Sequence, residues 1–179
     1  MFKSILEVLR QLVLATTKVS ISKALVAAGD YAAEDVMSES TTVGTPWVFA
    51  NIVRNAGGVG VITKAIALCS TTALTPRITV YLFTKSPNVL GAAFQDNAAN
   101  TAVYSVDRDG YVGRLDFSAM QDLGGNSESM LVPGDIGMPL EFKCAPGENT
   151  LWGIAVTRDA ITGEAAGMIL QVSLLVREG

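Results

Sequence analysis

The stretch FQDNAANTAVYSVDRDGYVGRLDF, residues 94–117, sets Asp96, Asp107, Asp109 and Asp116 close together, with Asn97 and Asn100 beside them. Two carboxylates suffice for glycoside hydrolysis, and a larger group of oxygen ligands suits calcium. The local pattern argues for turns instead. In VDRDGYV the Asp109-Gly110 pair reads as a hairpin connection that favours positive φ, and QDNAAN reads as a loop whose side chains bond nearby backbone amides. DRDG departs from the EF-hand pattern, because Gly110 comes two positions too early and no Glu follows at the spacing of a bidentate ligand. The expectation is a set of loops with no catalytic residues, no cofactor-binding residues and no metal ligands, in a protein that is not an enzyme.

Other chemistry is limited by what the chain lacks. It has no histidine, which removes Ser-His-Asp and Cys-His triads, imidazole bases and most zinc sites. There is no C-x-x-C, no G-x-S-x-G and no Walker loop. NAGGVGVIT at 55–63 lacks the third glycine of a dinucleotide fingerprint and runs into a β-type stretch, so it reads as a tight turn between strands. Cys69 and Cys144 each sit in an apolar run and read as buried free thiols. Trp47 and Trp152 lie among strand residues, where packing is the expected role and sugar stacking the alternative.

Composition narrows the partners. Thirteen Lys and Arg stand against seventeen Asp and Glu, scattered singly, so nothing asks for nucleic acid or an anionic membrane. Only 17% of residues are charged while 49% are hydrophobic, which leaves more neutral and apolar surface than a free monomer carries and favours a homo-oligomer, with a trimer preferred. No apolar run approaches the ~20 residues that cross a bilayer, and Glu7 and Arg10 interrupt the core a signal peptide would need. Synthesis in a cytoplasm is expected.

These residues need elements to hold them. Phe2, Ile5, Leu6, Leu9, Leu12 and Val13 recur at helical spacing, and Ser4 with Glu7 forms a capping-box pattern, so a helix is predicted over 4–14. Its stripe would bury about 5–8 kcal/mol of transfer free energy at roughly 1.5 kcal/mol or less per side chain. So short a helix is marginal alone, and Phe2, Ile5, Leu6, Leu9 and Leu12 become the candidate interface residues. From Lys18 the period becomes two, and strands are predicted at Glu34–Ser38, Trp47–Val53, Gly60–Ser70, Arg77–Thr84, Tyr111–Phe117, Leu140–Cys144, Leu151–Thr157 and Met168–Val176. Short turns and no crossover helices imply an all-β antiparallel β-sandwich, jelly-roll-like, over 18–179, with an N-terminal helical arm over 1–17.

The phrases YAAEDVMS (31–38), WVFANIVRNAGGVGVITKAIAL (47–68), ITVYLFTKSPN (78–88), residues 94–117 and NTLWGIAVTRDAIT (149–162) follow one another in an order that resembles the capsid decoration, or cement, proteins of tailed bacteriophages. The resemblance spans most of 19–176 and omits the predicted helix. It implies a structural virion protein that sits on the capsid exterior, is made in the host cytoplasm, and has the major capsid protein as partner. Two other classes fit a β-sandwich of this size: a fibre-head or carbohydrate-binding module, and a carboxylate-only hydrolase. A glycan-dependent change in tryptophan fluorescence, or loss of an activity on replacing single aspartates, would distinguish them.

Overall fold

The computed structural model describes residues 16–26, 30–70, 75–87, 94–103, 105–162 and 167–179. Ten strands follow in order: β1 (Thr16–Ala24), β2 (Trp47–Phe49), β3 (Val59–Cys69), β4 (Ile78–Phe83), β5 (Tyr111–Phe117), β6 (Gln121–Asp122), β7 (Ser127–Leu131), β8 (Leu140–Lys143), β9 (Leu151–Thr157) and β10 (Ile169–Glu178). All pairings between them are antiparallel. The larger sheet runs β1-β10-β3-β7-β6 with β8 beside β3, and the smaller runs β2-β9-β4-β5. From β1 to β4 successive strands alternate between the two sheets, and β9 and β10 return to the middle of each. That is the jelly-roll order, so the predicted fold class stands.

Alternation makes the core. Leu170, Val172, Leu174 and Val176 of β10 and Ile62, Ala65, Ala67 and Cys69 of β3 face Val80, Leu82, Leu115, Leu151 and Ala155 across the sandwich. Every residue of β4 is buried, although a strand in a two-layer sandwich buries one face. A third layer explains this. Tyr81, Phe83, Ile154 and Val156 point outward from the smaller sheet into a second cluster with Val36 and Phe94. Segments 31–39 and 94–103 therefore form a cover over the outer face of that sheet.

Three local expectations are corrected. Glu34–Ser38 is no strand: it joins the cover through single bridges, Asp35 to Ala99 and Val36 to Val156. Asp109-Gly110 is not a positive-φ hairpin, because Ser105–Gly110 winds as a 3-10 helix that leads into β5, and Gly110 is absent from the glycines with positive φ. The run from Trp47 stops pairing at Phe49. The predicted helix over 4–14, with Phe2, Ile5, Leu6, Leu9 and Leu12, lies outside the described residues.

Candidate interaction surface

The opening aspartates are dispersed by the fold. Asp96 is buried in the cover, where its carboxylate accepts from the Tyr31 hydroxyl at 2.7 and 2.8 Å and from the Ser38 amide at 2.7 Å. Its own amide donates to Ser40 O at 2.7 Å, and the Asn97 amide to Val36 O at 2.9 Å. Asp96 thus ties the two cover segments together. Asp35, also buried, accepts from the Ala32 amide at 2.7 Å, and the Asn97 side-chain amide, turned to donate, lies 2.9 Å from Asp35 Oδ2. Asp116 on β5 accepts from Thr79 Oγ1 at 2.7 Å and pairs with Arg114 at 2.7 Å. Asp107 and Asp109 belong to the 3-10 helix. Among the described residues no three acidic or cysteine side chains gather as metal ligands would.

A second polar group lies between the edges of β1 and β2. Lys23, almost fully buried, donates to Glu39 Oε2, to Thr45 O at 2.6 Å and to Thr45 Oγ1 at 2.9 Å, so its three protons are used. Its ammonium also stands 5.7 Å from the Trp47 ring centroid. Burial pushes the Lys23 pKa down despite the Glu39 partner. For Glu39, burial works upward, but hydrogen bonds from Lys23 and Thr45 outweigh it and hold the carboxyl below its ordinary value. The cleft above this pair, about 390 Å³, has a floor with its charges already matched.

The cysteines are free and buried, as expected, and burial raises the Cys144 thiol. Trp47 is a core residue whose indole donates to Met37 O at 3.1 Å. Trp152 is half-buried beside Val48 on the outer side of the smaller sheet. No helix among the described residues is long and apolar enough to cross a membrane.

The outer face of the larger sheet is mixed, with Ile66, Leu68 and Leu175 half-buried among polar side chains and Met130 exposed. On the outer face of the larger sheet, one cross-strand row reads Ser20, Ser173, Ile66, Met130, and the next reads Ser22, Gln171, Leu68, Glu128. Leu175 lies one row away, beside Lys18 and Lys64. No described segment forms a second cluster over this face as segments 31–39 and 94–103 do over the other. Sequence reading passed over the signal: AIALC in β3 is apolar at consecutive positions, the pattern of a strand buried on both faces.

The turn after β7 adds a projection. Asp135 Oδ2 accepts from the Val132 amide at 2.7 Å, Met138 N donates to Asp135 O at 3.0 Å, and Gly134 and Gly137 take φ of 109° and 82°. This bracing holds Ile136 90% exposed, with Met130 and Val132 also exposed nearby in the chain. A large apolar side chain on a hydrogen-bonded turn is a preorganised contact.

No family model and no curated protein matches the chain. Several solved viral capsid proteins are similar to it over most of its length. They include the decameric BFDV capsid protein (10% identity, 93% of this chain and 99% of that one, TM-score 0.35). Tomato aspermy virus (11%, 92% and 77%, TM-score 0.34) and Israeli acute paralysis virus (11%, 94% and 73%, TM-score 0.33) are two more.

Proposed function

We propose that this protein is a structural component of a phage virion that binds the outer surface of the assembled capsid and stabilises it, without catalysing a reaction. The observation that carries the reading is an asymmetry of cover. Among the described residues, the outer face of one sheet is closed by segments 31–39 and 94–103, whereas that of the other carries half-buried Ile66, Leu68 and Leu175 and exposed Met130, and Ile136 stands exposed on a braced turn after β7. Neutral apolar surface on a rigid sandwich suits burial against other subunits, and the charged groups best placed for chemistry, Asp96, Lys23 and Glu39, are engaged in internal bonds.

The mechanism is linkage: a protein that binds only the assembled shell lowers the free energy of that state and opposes its disassembly. Homo-oligomers, with a trimer favoured, would repeat the contact at symmetric positions, and the major capsid protein is the partner. The test uses capsids of the encoding phage assembled without this protein. Adding it should raise the temperature at which shells come apart and place its density on their exterior in electron micrographs. Unchanged shell stability with no bound density would overturn the proposal.

A further inference from the structure

We infer that the free edge of β1 pairs antiparallel with β1 of a second copy of this chain, about a two-fold axis at Ser20; this rests on the homo-oligomeric part of the reading above. β1 ends the larger sheet, and at nine residues it is the longest sheet edge among the described residues, against seven for β5, four for β8, three for β2 and two for β6.

The bonds β1 has already made fix which backbone groups it still offers. Leu25 N donates to Met168 O at 2.8 Å, which turns the odd-numbered residues of β1 toward β10. Ser20 Oγ lies 2.7 Å from Oγ of Ser173 directly opposite, the close side-chain approach of a pair that exchanges no backbone bond. The N–H and C=O groups of Lys18, Ser20 and Ser22 therefore point away from the sheet, where no described strand pairs with them. Long edges are ordinarily blunted by proline, a bulge or an inward charge. β1 has no proline, its register against β10 is unbroken, and its inward Lys23 is matched by Glu39.

The edge also opens on a groove. Thr17, Val19 and Ile21 face inward but are half-buried, and from Ile21 onward the cleft of about 390 Å³ runs between β1 and Thr45, Pro46 and Val48. A further strand along β1 would close it.

The sequence of β1 complements itself. A ladder forms only in registers that set the residues with outward backbone groups opposite one another. Centred on Ser20, all nine residues overlap, Lys18 meets Ser22 of the second copy, and Val19 meets Ile21 as a β-branched pair on the groove side. Any other centre shortens the overlap. An axis at Lys18 opposes two ammonium groups, and one at Ile21 sets Val19 against Lys23. A single strand edge buries less than the roughly 1,200 Å² of a stable free pair, so the contact links copies, or whole rings, already held side by side.

The experiment mixes concentrated, differently tagged full-length Lys18→Cys and Ser22→Cys variants without capsids and oxidises them. Paired residues stand about 5.5 Å apart at Cα, within reach of a disulfide, and the native thiols are buried. A covalent pair carrying both tags is expected at tenfold or more the yield of either variant alone, because each residue faces the other across the axis and not its own counterpart. Equal yields alone and mixed, or no covalent pair, overturn the inference. Ser20→Pro, which removes an N–H that β10 does not use, and Ser20→Lys, which opposes two charges on the axis, are each added to both variants. Yield should fall at least tenfold with the unfolding midpoint nearly kept, and an unchanged yield in both also overturns the inference. Shells are read separately. A Ser22→Cys thiol shielded from alkylation on coated shells, with no covalent pair formed, would assign the edge to the capsid protein and reject the self-pairing while the proposed function stands. Covalent pairs in a protein that never coats shells would sustain the self-pairing and remove that function.

Discussion

Replacing Asp96 by Ala would strand the Tyr31 hydroxyl and the Ser38 amide in buried surroundings, at about 1–3 kcal/mol for each unsatisfied donor. A total loss of roughly 2–5 kcal/mol is expected in denaturant unfolding, with Asp96→Asn milder because one acceptor oxygen remains. A midpoint that does not move would refute the tie between the cover segments. The Lys23–Glu39 pair predicts a pH dependence. Because the folded Glu39 pKa is depressed, its contribution is present above about pH 4.5 and disappears as pH falls through the folded value. The depressed Lys23 pKa acts oppositely in sense: its charged form is a cost at neutral pH, relieved only as pH rises from the folded value toward 10.5. Thermal melts of Glu39→Gln should therefore be lower than wild type at pH 7, where an unpaired ammonium is left buried, and should lose part of the wild-type decline at acid pH. Parallel curves for the two proteins at all pH values would contradict this. The sequence made clear that Asp96 sits in a loop with side chain to backbone bonding; its burial beneath Tyr31 depends on a partner 65 residues away, which local pattern does not encode.

At the scale of elements, the loops carry as much constraint as the strands. A Cβ on Gly44 would fall 1.5 Å from Phe94 O, so Gly44→Ala must displace the start of the 94–103 cover segment. A loss of about 2–4 kcal/mol is expected, in the range of a severe packing fault, with stability measured by thermal unfolding. Gly124→Ala meets no neighbour, but its φ of 89° makes it a test of backbone strain alone, with a loss nearer 1 kcal/mol. Strands bounded by clear turn residues and rich in β-branched or aromatic side chains were legible: Tyr111–Phe117 and Leu151–Thr157 have the bounds their sequences predict. β7 was missed since Ser127 and Ser129 occupy its inward positions, which breaks the apolar period though both are buried. Glu34–Ser38 misled for the converse reason: Val36 and Met37 are buried on a segment held by isolated bridges. The helix expected over 4–14 belongs to residues that are not described, while AIALC in β3 is apolar at consecutive positions because Ile66 and Leu68 are half-buried on the face opposite the core.

For the whole molecule, an apolar sandwich of net charge −4 is expected to associate with itself, and light scattering should report a mass near three times 18.8 kDa; a monomer at all concentrations would contradict this. Ile136→Asp should weaken attachment to capsids by tenfold or more while leaving the melting temperature within a degree or two, because the side chain touches little in the free protein. The strand order has a further consequence, and it concerns time. β10 lies between β1 and β3, and β9 lies between β2 and β4, so the middle of each sheet is supplied by the last strands of the sandwich to be made. Until then β1 to β4 each lack the central neighbour that β9 or β10 supplies, and pairing such as Thr16 with Arg177 must close almost the full contour of the sandwich. Folding should accordingly be slow and postponed until β10 has been made, with exposed β1 and β3 edges open to pairing with other nascent chains in the interval. A chain arrested after Thr162 would hold the first nine strands and no stable larger sheet.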